Sequence, residues 1–99
     1  MKHIKSISIL FPLYKDKKTV KIMIQKSIKV LSEIKKKYEI VMVDDGCPEN
    51  SGLYAKKITK NKKNIKIIIH KKNYGYGAAI KTGLKNCTSE WVFQTDGDN

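Results

Sequence analysis

Apolar residues recur along this chain in two rhythms, and the chain alternates between them. From Ser6 to Leu13, Ile7, Ile9, Leu10 and Phe11 form a near-continuous run, the pattern of a parallel strand covered on both faces. Pro12 comes at its end, where a missing N–H and a fixed φ do least harm. Similar runs mark a second strand over Tyr38 to Val43, a third over Ile65 to His70 and a fourth over Glu90 to Asp96. Trp91-Val92-Phe93 reads as the buried part of that last strand.

Between the runs the period lengthens. Val20, Met23, Ile24, Ile28, Leu31, Ile34 and Tyr38 fall in steps of three and four, which predicts an amphipathic helix from near Asp16 to about Lys37. The Asp16 carboxylate can cap its free N–H groups. A shorter helix is expected from Ser51 to about Lys60, with Leu53, Ala55 and Ile58 turned inward. A third runs from about Ala78 to Asn86, where Ile80 and Leu84 share a face and Gly83 allows a close neighbour. The order β-α-β-α-β-α-β predicts an α/β fold: a mostly parallel sheet with flanking helices. Ligands of such sheets sit beyond the carboxyl ends of the strands, near a switch in strand order.

Composition changes this picture little. Ninety-nine residues allow at most one domain, and 40% hydrophobic content is ordinary for a folded chain. The net charge of +12 comes entirely from lysine, with no arginine for bidentate phosphate grips or base readout. Its first reading is compositional drift, its second attraction to an anionic membrane surface. Specific nucleic-acid binding comes last. Cys47 and Cys87 fit neither a zinc spacing nor a disulfide framework, so two free thiols are expected. With no apolar span and no signal-peptide pattern, the expected place is the cytoplasm, at or near the inner face of the membrane.

Chemistry gathers at the expected strand ends. Asp96-Gly97-Asp98 sets two carboxylates across a glycine. Taken alone it reads first as a plain turn, and second as a site for a divalent cation that keeps water and takes phosphate oxygens. Asp44-Asp45-Gly46 ends the second strand. Gly75-Tyr76-Gly77 opens the third helix, but Gly83 comes too late for a dinucleotide fingerprint. That helix start either presents free N–H groups to a phosphate or is a structural turn.

Four segments together resemble one family: Phe11-Pro12-Leu13-Tyr14, Val43-Asp44-Asp45-Gly46, Asn73-Tyr74-Gly75-Tyr76-Gly77-Ala78-Ala79 and Thr95-Asp96-Gly97-Asp98-Asn99. They resemble the nucleotide-binding part of a family 2 glycosyltransferase, in the branch similar to dolichyl-phosphate-mannose synthase. The resemblance runs from Ser8 to Asn99 and implies a Rossmann-like sheet of the GT-A type. It implies a transferase moving sugar from a UDP- or GDP-type donor to a lipid-phosphate or saccharide acceptor, with inversion. It also implies Mg²⁺ or Mn²⁺ and a peripheral membrane contact.

The implied donor-binding residues are Pro12, Leu13, Tyr14, Asp16, Asp44, Asp45, Gly75, Gly77, Lys81, Asp96 and Gly97, with Asp96 and Asp98 on the metal. Asp44 would accept from the base N–H, and Asp45 would order the following loop. Two positions depart from the family pattern: Lys15 replaces an asparagine, and Cys47 replaces a serine whose hydroxyl is the better hydrogen-bond partner. The family's catalytic base is expected beyond Asn99, so the chain reads as truncated after the D-x-D motif. The rival readings are a sugar-nucleotide nucleotidyltransferase and a non-catalytic remnant binding nucleotide or membrane.

Overall fold

A computed structural model describes residues 5–13 and 17–95. Strands β1 (Ser6–Leu13), β2 (Lys37–Asp44), β3 (Ile65–Ile69) and β4 (Trp91–Gln94) alternate with helices α1 (Lys17–Ile34), α2 (Ser51–Thr59) and α3 (Tyr76–Asn86). All strand pairs are parallel, and the sheet order is β3-β2-β1-β4. The expected α/β fold is therefore the observed one. The chain steps outward from β1 to β2 to β3, then returns to the other side of β1. That return puts the switch in strand order between β1 and β4.

The apolar runs become the sheet interior because alternate side chains serve opposite faces. Ile7, Phe11, Leu13, Ile40 and Met42 pack beneath α1 and α2, against Val20, Ile24, Leu31 and Ala55. Leu10, Val41 and Val43 face the other way and meet Ala79 of α3. Ile40 to Val43 are completely buried, as the central β2 requires.

Small residues decide how the other helices lie. Ser51, Gly52, Ala55 and Thr59 form the buried stripe of α2, so the helix rests close on the sheet and Leu53 turns outward, contrary to the pattern-based expectation. Ala79 and Gly83 do the same for α3, where a Cβ at Gly83 would overlap Leu10, and Leu84 is left exposed.

Several expected boundaries move. Helix α1 ends at Ile34, because Lys35 takes a left-handed φ of 59° that stops the helical ladder. Helix α3 begins at Tyr76, two residues early, and takes in Gly77. The run in β3 is half-buried rather than buried, since β3 is an edge strand. The same cause overturns the buried reading of β4. Trp91 and Phe93 are 50% and 48% exposed on a strand that pairs only with β1 among the described residues.

Candidate functional site

Four segments meet at the carboxyl ends of the strands. Pro12 and Leu13 end β1, and Asp45 follows β2. Asn73 lies between β3 and α3, and Tyr76 starts α3. Together with Cys47 and Pro48 they border a cavity of about 330 Å³. Ala79, buried against the sheet, also borders it.

The two carboxylates after β2 serve different loops. Asp44 is 2% exposed, and its oxygens are taken by backbone: Cys47 N–H donates to Oδ1 at 2.6 Å and Gly52 N–H to Oδ2 at 2.8 Å. A Cβ at Gly52 would come within 2.7 Å of the Asp44 carboxylate, so only glycine brings its N–H so near. Asp44 thus pins the loop to α2 and does not border the cavity. Backbone N–H, available from any residue but proline, makes the Cys47 contact, so the thiol costs that anchor nothing. The Cys47 sulfur itself lies 3.4 Å from the Ser51 hydroxyl.

Asp45 faces the cavity and is tied across to the glycine loop. Its Oδ1 accepts from Tyr74 N–H at 2.9 Å and lies 2.7 Å from His70 Nδ1. Its Oδ2 accepts from Gly75 N–H at 2.8 Å. Burial pushes the Asp45 carboxyl up, but His70 and these two N–H groups outweigh it and hold it below its ordinary value. Loop N–H groups that the sequence leaves open to a phosphate are therefore engaged by this carboxylate at Tyr74 and Gly75. Gly46 makes the approach possible. Its φ is +72°, and a Cβ there would lie 2.7 Å from the backbone of Lys72 and Asn73.

The remaining candidates separate. Gly77 is in the first turn of α3, with open space where a side chain would go. Lys81 is exposed one turn further along and does not border the cavity. Tyr14 and Asp16 lie outside the described residues, as do Asp96, Gly97 and Asp98. Their neighbour Thr95 is described: its N–H donates to the Leu10 carbonyl at 2.9 Å, extending the β1–β4 pairing toward the cavity end. Among the described residues no three metal-ligating side chains cluster.

Two contacts at the site had no local signal in the sequence. His70 bridges Asp45 and Thr82, its Nε2 standing 2.8 Å from the Thr82 hydroxyl, and Gln94 donates to the Tyr76 hydroxyl at 2.7 Å. Both join residues at least 12 positions apart, which the fold alone brings together.

Both the sequence and the fold have counterparts among known proteins. The model of the family described as "Glycosyl transferase family 2" matches residues 8–99. Undecaprenyl-phosphate 4-deoxy-4-formamido-L-arabinose transferase of Pectobacterium carotovorum is 28% identical over 96 residues, covering 96% of this chain and 29% of the relative. Its counterpart in Pseudomonas fluorescens is 29% identical, covering 93% and 27%. The chain thus spans less than a third of the length of these relatives.

Among solved structures, the mannosyltransferase PcManGT of Pyrobaculum calidifontis, in complex with GDP-Man and Mn²⁺, superposes with a TM-score of 0.73 at 18% identity, covering 93% of this chain and 27% of that one. S. aureus TarS (residues 1–349) gives 0.69 at 25% identity, covering 94% and 27%.

Proposed function

This chain belongs to glycosyl transferase family 2, and from that premise we propose that it is a glycosyltransferase whose cavity receives the nucleotide of a sugar-nucleotide donor, UDP- or GDP-type. One observation carries the reading. Pro12, Leu13, Asp45 and Asn73, drawn from segments of the predicted motifs, border one cavity at the carboxyl ends of a parallel sheet, beside its switch in strand order. A base lies between the apolar surface of Pro12 and Leu13 and the Asp45 carboxylate. Asp45 has the capacity to read a ring N–H: a carboxylate accepts about four hydrogen bonds, and three donors already hold this one. That role moves from Asp44 to Asp45 because Asp44 is buried and spent on backbone.

Asp96 and Asp98 are the proposed ligands of Mg²⁺ or Mn²⁺. The donor set fits: two hard oxygen ligands separated by one glycine leave room for water and phosphate oxygens. When bound, such a cation neutralises the donor diphosphate as it departs. Thr95, the residue before this motif, is fixed to Leu10 at the cavity end of the sheet, which supports the assignment. The relatives named above act, by their names, on undecaprenyl phosphate, which supports a polyprenyl phosphate acceptor here. Transfer with inversion is the proposed outcome. A chain with 21 lysines suits a peripheral contact with the anionic cytoplasmic face of a membrane. No helix among the described residues is long and apolar enough to cross one.

Calorimetric titration with UDP and with GDP, each in Mn²⁺ and in chelator, tests the reading. One of the two is expected to bind, and more tightly with the metal. Failure of both to bind in Mn²⁺ would sink it.

A further inference from the structure

His70 stands at the crossing of three elements and belongs to none of the four predicted motifs. It follows β3, its backbone N–H donates to the Asp44 carbonyl at 2.8 Å, and its side chain is 13% exposed. One ring nitrogen meets Asp45 on the β2 side and the other meets Thr82 on α3. Its ring also stands edge-on to Tyr74, with centroids 5.4 Å apart. No other side chain hydrogen-bonds Asp45 among the described residues, the remaining contacts being backbone N–H groups.

The chemistry of the partners fixes the direction of these bonds. An ionised carboxylate only accepts, so Nδ1 carries the proton that goes to Asp45. In the neutral ring Nε2 then accepts from the Thr82 hydroxyl. Neutral imidazole in water favours the proton on Nε2, so the site selects the less common tautomer. The consequence falls on Asp45. With His70 and Tyr74 both donating to Oδ1, and Gly75 alone to Oδ2, the vacant acceptor capacity is on Oδ2. Without His70 each oxygen keeps one backbone donor, so both have vacant capacity and the oxygen that a ligand reads is no longer singled out.

We propose that His70 is a positioning residue for the donor pocket, orienting the Asp45 carboxylate toward a nucleobase while Thr82 locks the ring. This inference rests on the functional reading above, and its test separates the two. Asparagine places a donor near the position of Nδ1, and glutamine places one near Nε2. His70→Asn should therefore restore most of the function, and His70→Gln should not. Uridine and guanosine are the probes, because neither carries phosphate and both bypass the metal.

For whichever nucleoside the unmutated chain binds, H70Q is expected to weaken binding about tenfold, and H70N by no more than about twofold. In the ligand-free chain, amide exchange at Tyr74 and Gly75 should quicken in H70Q more than in H70N. Nitrogen-15 spectra should show the ring proton on Nδ1. Equal effects of the two variants on exchange, or a proton on Nε2 in the neutral ring, would overturn the positioning role. If neither nucleoside binds the unmutated chain, the functional reading fails instead, and the exchange and tautomer measurements still decide what His70 does.

Discussion

Asp44 and Asp45 are neighbours in sequence and hold opposite walls of the same site. Asp44 turns into the protein and grips Cys47 and Gly52, fixing the loop that leads into α2. Asp45 turns across the strand ends and grips Tyr74 and Gly75, fixing the loop that leads into α3. Alternation along an extended backbone sends successive side chains to opposite faces, which is why one carboxylate is sealed and the other reaches the cavity.

Substituting the pair should therefore give different phenotypes. Asp44→Ala leaves two backbone donors in a buried setting, and removing charge-assisted bonds of this kind costs about 3 kcal/mol. Its loss should appear in denaturant melts. Asp45→Ala should cost less stability but weaken nucleoside binding by at least about tenfold. Equal stability losses with no difference in binding would return both residues to a purely structural role.

At the opposite end of the sheet, Glu39 predicts an acid sensitivity. It is 7% exposed and accepts from Ser8, from Thr88 N–H at 2.6 Å and from Lys66 at 2.9 Å. Burial pushes its carboxyl up, but these bonds and the Lys66 charge bring it down to about 2 from an ordinary 4.5. A lowered folded pKa means that the unfolded chain takes up the proton first. Glu39 therefore stabilises fully above about pH 4.5, and the contribution is lost as pH falls toward about 2. The gap corresponds to on the order of 3 kcal/mol. Urea melts across that window should show the loss in the unmutated chain, and Glu39→Gln should flatten it.

Much of this was legible because parallel strands announce themselves: Ile40 to Val43 read as the core of a strand, and Val20, Ile24 and Leu31 shared the helical face that meets the sheet. Strand-end loops then located the cavity residues. What the sequence could not show was which of two adjacent aspartates is sealed, since that depends on where Gly52 brings its N–H. Nor could it show that His70 meets Asp45 across 25 positions. The exposure of Trp91 and Phe93 was hidden for a similar reason: a buried strand and an edge strand can share the same apolar run, and only the sheet order separates them.

Gly46 offers a test of how the walls are joined. Alanine there meets a left-handed φ, a strain of roughly 1–2 kcal/mol, and its Cβ would strike the backbone of Lys72 and Asn73. Backbone cannot step aside as a side chain can, so the 71–75 loop should shift and loosen its hold on Asp45. Gly46→Ala is expected to lower both stability and nucleoside affinity. Gly77→Ala has open space around it and should change neither by much. Similar behaviour of the two variants would remove the argument for close approach at Gly46.

The final prediction concerns the acidic motif after β4, Asp96-Gly97-Asp98. If Asp96 and Asp98 ligate the cation, the metal should matter only to ligands that carry phosphate. A nucleoside diphosphate should bind at least about tenfold more tightly in Mn²⁺ than in chelator, while the free nucleoside binds equally in both. Asp98→Asn replaces a charged oxygen donor with a neutral amide, a poorer ligand for a hard cation, so it should remove most of that metal-dependent gain. It should leave nucleoside affinity alone, because the proposed base contacts lie at Pro12, Leu13 and Asp45. Asp45→Ala should do the reverse, lowering affinity for nucleoside and diphosphate alike while preserving the ratio between metal and chelator. Calorimetry on the three chains with both ligands separates the cases. A metal dependence that survives Asp98→Asn unchanged would show that the cation is held elsewhere.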